Sequence, residues 1–166
     1  MASYLVPNGP MPTTAAFAAV TTGTAIKTMV QVRPLVALKI IEWGISFNAS
    51  ALAVPIVVEL IETGTVFATV TAHVEAGITK SDDLSGVAAT IMTLSTTGTG
   101  YTATAEGTIT AVRNLDGPQF LSVLSQPFVK QFPLGQEPVC QIGNSVRIRV
   151  TAGAAVNCYA WIRLTP

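Results

Sequence analysis

Residues 34–73 read PLVALKIIEWGISFNASALAVPIVVELIETGTVFATVTAH, and this stretch decides the fold class. It contains three apolar runs that alternate with polar or small residues at a period of two, which is typical of strands that bury one face. The alternation changes phase at Ile40 and Ile41, as a β-bulge would produce. A turn at 62–65 separates the last two runs. We therefore predict that the three runs form one antiparallel sheet in which Trp43 faces inward.

Further strands are predicted on both sides of this stretch. Residues 25–32 and 87–95 show strand patterns, and residues 101–113 form a long run of alternating Ala and Thr with a bend at Gly107. Residues 114–138, which contain four prolines, are predicted to be the least regular part of the chain. Residues 145–164 are predicted to close the chain as a hairpin. The pattern predicts an all-β antiparallel β-sandwich, jelly-roll-like, with about eight strands.

The first 24 residues are predicted to form an extended N-terminal arm, and residues 25–166 a single sandwich domain. Three prolines and two glycines disfavour a regular element in the arm. The arm is nevertheless too apolar for a disordered tail, since it contains Tyr4, Leu5, Val6 and Phe17. These four side chains are candidates for partner contact, and the surface on which the arm lies is either its own sandwich or a neighbouring molecule.

The composition is poor in charge. Charged residues make up 11% of the chain and the formal net charge is zero, whereas a typical soluble domain has about 25% charged residues. The zero net charge gives no electrostatic reason to expect nucleic acid or an anionic membrane as a partner. No export signal and no apolar run long enough to span a bilayer is recognised in the sequence. We predict that other subunits cover part of the surface; the alternative is a free sandwich whose outer faces are solvated by threonine hydroxyls.

The chain offers little for catalysis. Its one histidine, His73, is expected on an outer or interfacial face, without the motifs of a triad or a metal site. Asp82 and Asp83 are interpreted as a solvated turn rather than a calcium site. Cys158 is expected as a small core residue, and a bridge between Cys140 and Cys158 remains open. We predict no enzyme activity, no cofactor and no metal ion.

One small surface patch is a candidate for ligand or partner contact. Tyr159, Trp161 and Arg163 share the outward phase of the last strand, and aromatic and Arg side chains are enriched at binding surfaces. Arg147, Arg149 and Arg163 form a basic row, which is interpreted as a solvated or ion-paired face rather than a nucleic-acid track.

Four segments carry a resemblance to a known family. They are EWGISFNASALAVPIVVELIETGTVFATVTAH, VKQFPLGQEPV, SVRIRVTA and NCYAWIRL. In strand order and Ala/Thr/Gly-rich texture they resemble the small all-β decoration or cement proteins on the heads of tailed bacteriophages. The resemblance covers roughly residues 35 to 164 and includes no diagnostic motif.

The resemblance implies a structural virion protein that assembles in the host cytoplasm and binds the outside of an icosahedral head. It also implies a homotrimer that clamps neighbouring major capsid proteins, with the N-terminal arm used for docking. Deletion of residues 1–20 is accordingly predicted to leave a folded sandwich that no longer binds capsids. The alternative is a ligand- or carbohydrate-binding β-sandwich module on a phage tail or a bacterial surface, and a hydrolase is a third hypothesis.

Overall fold

The computed structural model describes residues 2–11, 16, 18–48, 55–81, 86–109, 112–122 and 126–166. Within these residues the chain forms an antiparallel β-sandwich, and this confirms the predicted fold class. The strands are β1 Tyr4–Pro7, β2 Val20–Thr21, β3 Lys27–Val32, β4 Leu38–Asn48, β5 Ile56–Thr63, β6 Thr69–Ala72, β7 Thr79–Lys80, β8 Gly100–Ala105, β9 Val112–Leu121, β10 Phe128–Gln131, β11 Val139–Cys140, β12 Ser145–Thr151 and β13 Asn157–Thr165.

Two sheets face each other. Sheet I has the order β10-β4-β13-β1-β7, with β11 also paired to β4 and β2 to β13. Sheet II has the order β6-β8-β3-β12-β5-β9. Eight of the strands pair in a nested way: β1 with β13, β3 with β12, β4 with β10 and β5 with β9. Nested pairs of this kind arise when a Greek-key chain rolls up, and the jelly-roll connectivity itself stays a prediction.

The strand partners differ from those that the sequence predicts. The three runs of residues 34–73 do not form one sheet, because β4 lies in sheet I, β5 in sheet II, and β6 pairs with β8 at the edge of sheet II. The closing strands β12 and β13 are not a hairpin either, since they belong to opposite sheets. Each run buries one face, but that face meets the other sheet of the sandwich. Period-2 patterning indicates strands and cannot indicate their neighbours.

The predicted bulge is present. The register between β13 and β4 shifts between Arg163 and Leu164, opposite Glu42 and Ile40, so Ile41 is the extra residue. Trp43 is fully buried as predicted. Its ring packs 4.9 Å from that of Phe128, and its indole N–H donates to Asp116 on β9 at 2.9 Å. This hydrogen bond joins the two sheets.

The core lies between the sheets and is almost entirely aliphatic. Full burial of each Val, Leu or Ile side chain stabilises the fold by about 1.5–3 kcal/mol relative to exposure. Sheet I contributes Tyr4, Val6, Leu38, Ile40, Ile45, Ala160, Ile162 and Leu164, and sheet II contributes Met29, Val30, Val32, Val58, Leu60, Val146, Ile148 and Val150.

The described part of the predicted N-terminal arm is not separate from the sandwich. β1 is an inner strand of sheet I, hydrogen-bonded to β13 on one side and β7 on the other. β2 pairs with the start of β13. The described part of the arm therefore lies on its own sandwich, which is one of the two alternatives that the sequence leaves open. Proline at the end of β1 is compatible with the ladder because Pro7 lies at the last position of the strand.

The chain between the paired strands β5 and β9 forms an insertion, which the structure describes over residues 64–81 and 86–109. Its β6 and β8 extend sheet II beyond β3, and its β7 extends sheet I beyond β1. Where the sequence predicts a strand over 87–95, the structure has a 3-10 turn at Ala88–Thr90. The predicted strand over 101–113 ends at Ala105, before Gly107 with φ +70°. Conversely, the region predicted as least regular contains β9, which pairs with β5 along its length.

Candidate functional site

The outer face of sheet I carries the candidate contact residues of the last strand. Tyr159, Trp161 and Arg163 alternate on β13 with the buried residues of the core, and all three are partly exposed. The register places them opposite Ser46, Gly44 and Glu42 of β4, respectively. The outward phase that the sequence predicts for them is present, and the structure adds the β4 residues.

The two aromatic rings form a fixed platform. Tyr159 and Trp161 are stacked with ring centroids 5.1 Å apart and an interplanar angle of 25°. A Cβ at Gly44 would lie 2.8 Å from Cε2 of Trp161, so the indole covers this glycine and only Gly fits beneath it. The indole N–H donates to Oε1 of Glu42 at 2.9 Å, and Oε2 of Glu42 accepts a bond from Gln131 at 2.8 Å.

The phenol and the guanidinium border this platform. The Tyr159 hydroxyl donates to Sδ of Met11 at 3.8 Å. Burial raises the pKa of Tyr159, and the nearby positive charge of Arg163 opposes that shift. Arg163 donates to Ser81 at 3.4 Å, while its buried Nε has no hydrogen-bond partner among the residues that the structure describes. The face therefore presents two aromatic rings and a guanidinium, which are side-chain types enriched at interface hot spots.

The N-terminal candidates for partner contact lie in different environments. Tyr4 and Val6 are buried in the core, and the Tyr4 hydroxyl donates to the carbonyl of Gly86 at 2.9 Å. They are not available to a partner, which corrects that part of the prediction. Leu5, half-buried, lies opposite Arg163 on the outer face. Phe17, like Asp82 and Asp83, lies outside the described residues.

His73 is buried rather than on the predicted outer or interfacial face. Its Nε2 lies 2.7 Å from the carbonyl oxygen of Pro7, and its ring packs against Tyr101 at 4.9 Å. Burial lowers the pKa of His73, and the hydrogen bond to Pro7 partly opposes this. The imidazole links the insertion to β1 and has no exposed surface on which to act as a base.

The basic row does not exist as one surface. Arg163 lies in sheet I, whereas Arg147 and Arg149 lie on β12 of sheet II. Arg149 forms an ion pair with Glu59, as the ion-paired interpretation expects. Arg147 is fully buried, which the sequence did not indicate, because the insertion covers the outer side of sheet II.

Arg147 holds this insertion through several acceptors. Its guanidinium donates to the carbonyl oxygens of Val66 and Glu106 and lies 3.7 Å from the Glu106 carboxylate. Burial lowers the pKa of Arg147 to about 10, partly opposed by Glu106. Gln31 on the neighbouring strand bonds Ala68 and Gly98 of the same insertion. These contacts are structural, since each acceptor belongs to the chain's own fold.

The two cysteines are both buried and free. Cys140 pairs with Leu38 and Cys158 with Phe47, nine positions apart on β4. That separation is about 30 Å along an extended strand, whereas a disulfide needs Cα atoms within about 7 Å. Burial raises the pKa of each thiol to about 12. The possibility of a bridge between them is thereby removed.

Neither a metal site nor a membrane-spanning helix is found in the described part of the chain. No cluster of three or more His, Cys, Asp or Glu side chains occurs there that could hold a metal ion. Within the same residues, no helix has the length and apolar character to cross a bilayer.

Comparison with protein-family models, curated proteins and solved structures found no significant match for this chain.

Proposed function

We propose that this chain is a structural virion protein, a decoration or cement subunit on the outside of an icosahedral phage head. In this role it acts as a homotrimer and binds the major capsid protein after assembly in the host cytoplasm. The proposed role is mechanical and needs no enzyme activity, cofactor or metal ion.

The proposal is carried by the exposure of large apolar side chains on a chain that has few charged residues. Phe120 is 71% exposed, Leu134 94% and Ile142 64%. Val112 and Val129 are also exposed on the edge strands β9 and β10. We infer that other subunits cover part of this exposed apolar surface, since large exposed apolar patches mark interaction sites.

The outer face of sheet I supports the same role. Its stacked Tyr159 and Trp161, with Arg163 beside them, have the composition of interface hot spots. A stable protein interface buries about 1,600 Å² in total. Each bound subunit would then favour the closed shell by mass action, to an extent set by its affinity and free concentration.

The direct test uses phage heads that lack this chain, obtained from a phage with the gene deleted. We expect the purified protein to co-sediment with these heads to saturation and to raise the temperature at which they release DNA. A protein that stays at the top of the gradient at all concentrations would contradict the proposal.

The alternative is a carbohydrate-binding module that uses the Tyr159–Trp161 platform. Exposed aromatic rings beside Glu42 and Arg163 favour it. The contacts of the Trp161 indole speak against this alternative. The indole already covers Gly44 and stacks on Tyr159, and its N–H already donates to Glu42. Millimolar or tighter binding in a sugar panel, lost on Trp161→Ala, would favour this alternative over the virion role.

A further inference from the structure

Between β10 and β11 the chain leaves the edge of sheet I and then returns to it. Both strands pair with β4, and we call residues 132–138 between them the edge loop. At its start the amide of Phe132 donates to a carbonyl of β4, and at its end the carbonyl of Pro138 accepts from an amide of β4, each at 2.9 Å. Both ends of the edge loop are therefore fixed to sheet I.

The tip of the edge loop is a tight turn. The amide of Gln136 donates to the carbonyl of Pro133 at 2.9 Å. Gly135 has φ +84°, which is typical of the third residue of a type II turn, and its amide donates to the Glu137 carboxylate at 2.8 Å. Leu134, the second residue of the turn, is 94% exposed. A hydrogen-bonded turn thus holds a large apolar residue in water at a defined position.

The edge loop also forms one wall of an apolar cleft of about 270 Å³. The cleft is lined by Leu134, Gly135 and Glu137 of the loop, by Lys39 and Ile41 of β4 and by Thr165 of β13. Carbon atoms make up most of its exposed wall. Ile41 is the extra residue of the bulge in β4, and a bulge re-aims a side chain relative to a regular strand. The cleft and the projecting Leu134 therefore adjoin each other on one surface.

The rim of the cleft carries one positive and one negative charge. Lys39 is exposed on β4, and Glu137 is half-buried near the end of the edge loop. Neither of them forms an ion pair with another residue that the structure describes, since the four ion pairs found there use other side chains. The surface is thus complementary to itself in shape and in charge.

We propose that the cleft of one subunit receives Leu134 of a second copy of this chain. This inference rests on the proposed function and assigns a contact surface to its homotrimer. The edge loop of the copy supplies an apolar side chain for the apolar cleft, and its Glu137 supplies the charge that faces Lys39. Because projection and cleft adjoin, repetition of this contact around a threefold axis closes a ring in which the three edge loops meet.

Exposed apolar side chains extend the contact beyond the edge loop. Within the described residues, five of the ten large apolar side chains that are exposed lie between positions 112 and 142, namely Val112, Phe120, Val129, Leu134 and Ile142. A stable interface buries about 1,600 Å², more than one leucine can supply. β9 and β11 lie side by side at this edge, because Arg113 donates to the carbonyl of Val139 at 2.8 Å. The neighbouring subunit therefore covers side chains of both sheets.

This contact is formed by side chains rather than by added strand pairs. The outermost strand of sheet II here, β9, contains Pro118, and its register with β5 shifts twice. Proline and bulges at a sheet edge prevent pairing with another strand. The strand at the edge of sheet I, β10, has only four residues.

The test measures the molar mass of the full chain by light scattering after size exclusion, across a dilution series. Leu134→Ala removes the projecting side chain. Val74→Ala is the matched control, because Val74 is 67% exposed but follows β6 at the opposite edge of sheet II. We expect Leu134→Ala to raise the concentration at which half of the trimer dissociates by about 10-fold or more. Val74→Ala is expected to behave like the wild type.

Charge exchange tests whether the occupant is a copy of the same chain. Lys39→Glu places two carboxylates at each contact and is expected to raise the dissociation concentration by about 3-fold or more. The double variant Lys39→Glu/Glu137→Lys restores opposite charges at every contact, and it should return to within about 2-fold of the wild type. A different partner would not carry the exchanged charge, so the rescue identifies contact between copies.

Thermal unfolding shows whether each variant is folded. The inference is wrong if the wild type is a monomer at every concentration, if folded Leu134→Ala dissociates like the wild type, or if the double variant is as weak as Lys39→Glu. Binding to heads then decides the proposed function separately. A trimer that needs Leu134 but does not bind heads would support the inference and contradict the proposed function. A dimer that is lost in Leu134→Ala would support the contact and contradict the trimer.

Discussion

At the residue scale, the few titratable groups of this chain serve mainly to hold the fold together. His73 links the insertion to β1 through the carbonyl of Pro7, and Arg147 links it to sheet II through three acceptor groups. Because a buried polar group without a partner costs about 1–3 kcal/mol, each of these side chains fixes the position of the backbone that it contacts.

The buried imidazole predicts a dependence of stability on pH. The pKa of His73 in the folded state is lowered from 6.5 by burial, so the unfolded chain binds the proton more tightly. Its contribution to stability is complete above pH 6.5 and is lost as pH falls from there through the lower folded-state pKa. We expect the free energy of unfolding in urea to decrease from pH 7.5 to pH 5.

Substitution of the histidine isolates its share of this decrease. His73→Gln keeps a hydrogen-bond donor but cannot titrate, and it is expected to cost about 1 kcal/mol at pH 7.5. Its stability should then fall less steeply toward pH 5 than that of the wild type. Parallel curves for the two proteins would show that His73 does not titrate on unfolding in this range.

At the element scale, β1 is the part of the chain whose role changed most between sequence and structure. The apolar triplet Tyr4-Leu5-Val6 is visible in the sequence, but the prolines and glycines near it are typical of a linker. The long-range pairing with β13, more than 150 residues away, makes it an inner strand. Deletion of residues 1–20, predicted from sequence to spare the fold, would remove this strand from sheet I.

Two substitutions in β1 test its role. Val6 is fully buried and Leu5 is on the outer face. Val6→Ala is expected to lower the free energy of unfolding by about 2 kcal/mol, from the lost methyl groups and the cavity they leave. Leu5→Ala is expected to cost about half of that or less. Urea denaturation measures both, and a Val6→Ala protein as stable as the wild type would mean that β1 is a detachable arm after all.

At the scale of the whole molecule, the charge-poor surface predicts self-association. Light scattering after size exclusion, across a dilution series, measures the absolute mass in solution. We expect a trimer, at three times the 17.3 kDa of one chain. A monomer at every concentration would contradict the predicted homotrimer. The apolar surface would then be covered only when the subunit binds the shell.

What the sequence by itself determined is the class of the fold and which face of several strands is buried. Period-2 patterns identify β4, β5, β12 and β13, the bulge at Ile41, the inward Trp43 and the outward Tyr159 and Trp161, because alternation depends only on local strand geometry.

Only the tertiary structure decided which strands are neighbours. It separated β12 from β13, made β1 an inner strand, buried His73 between the insertion and β1, and buried Arg147 beneath the insertion. The physical reason is that a strand can bury its apolar face against any complementary strand. Pairing therefore depends on the packing of the whole chain, in which most contacts join residues distant in sequence.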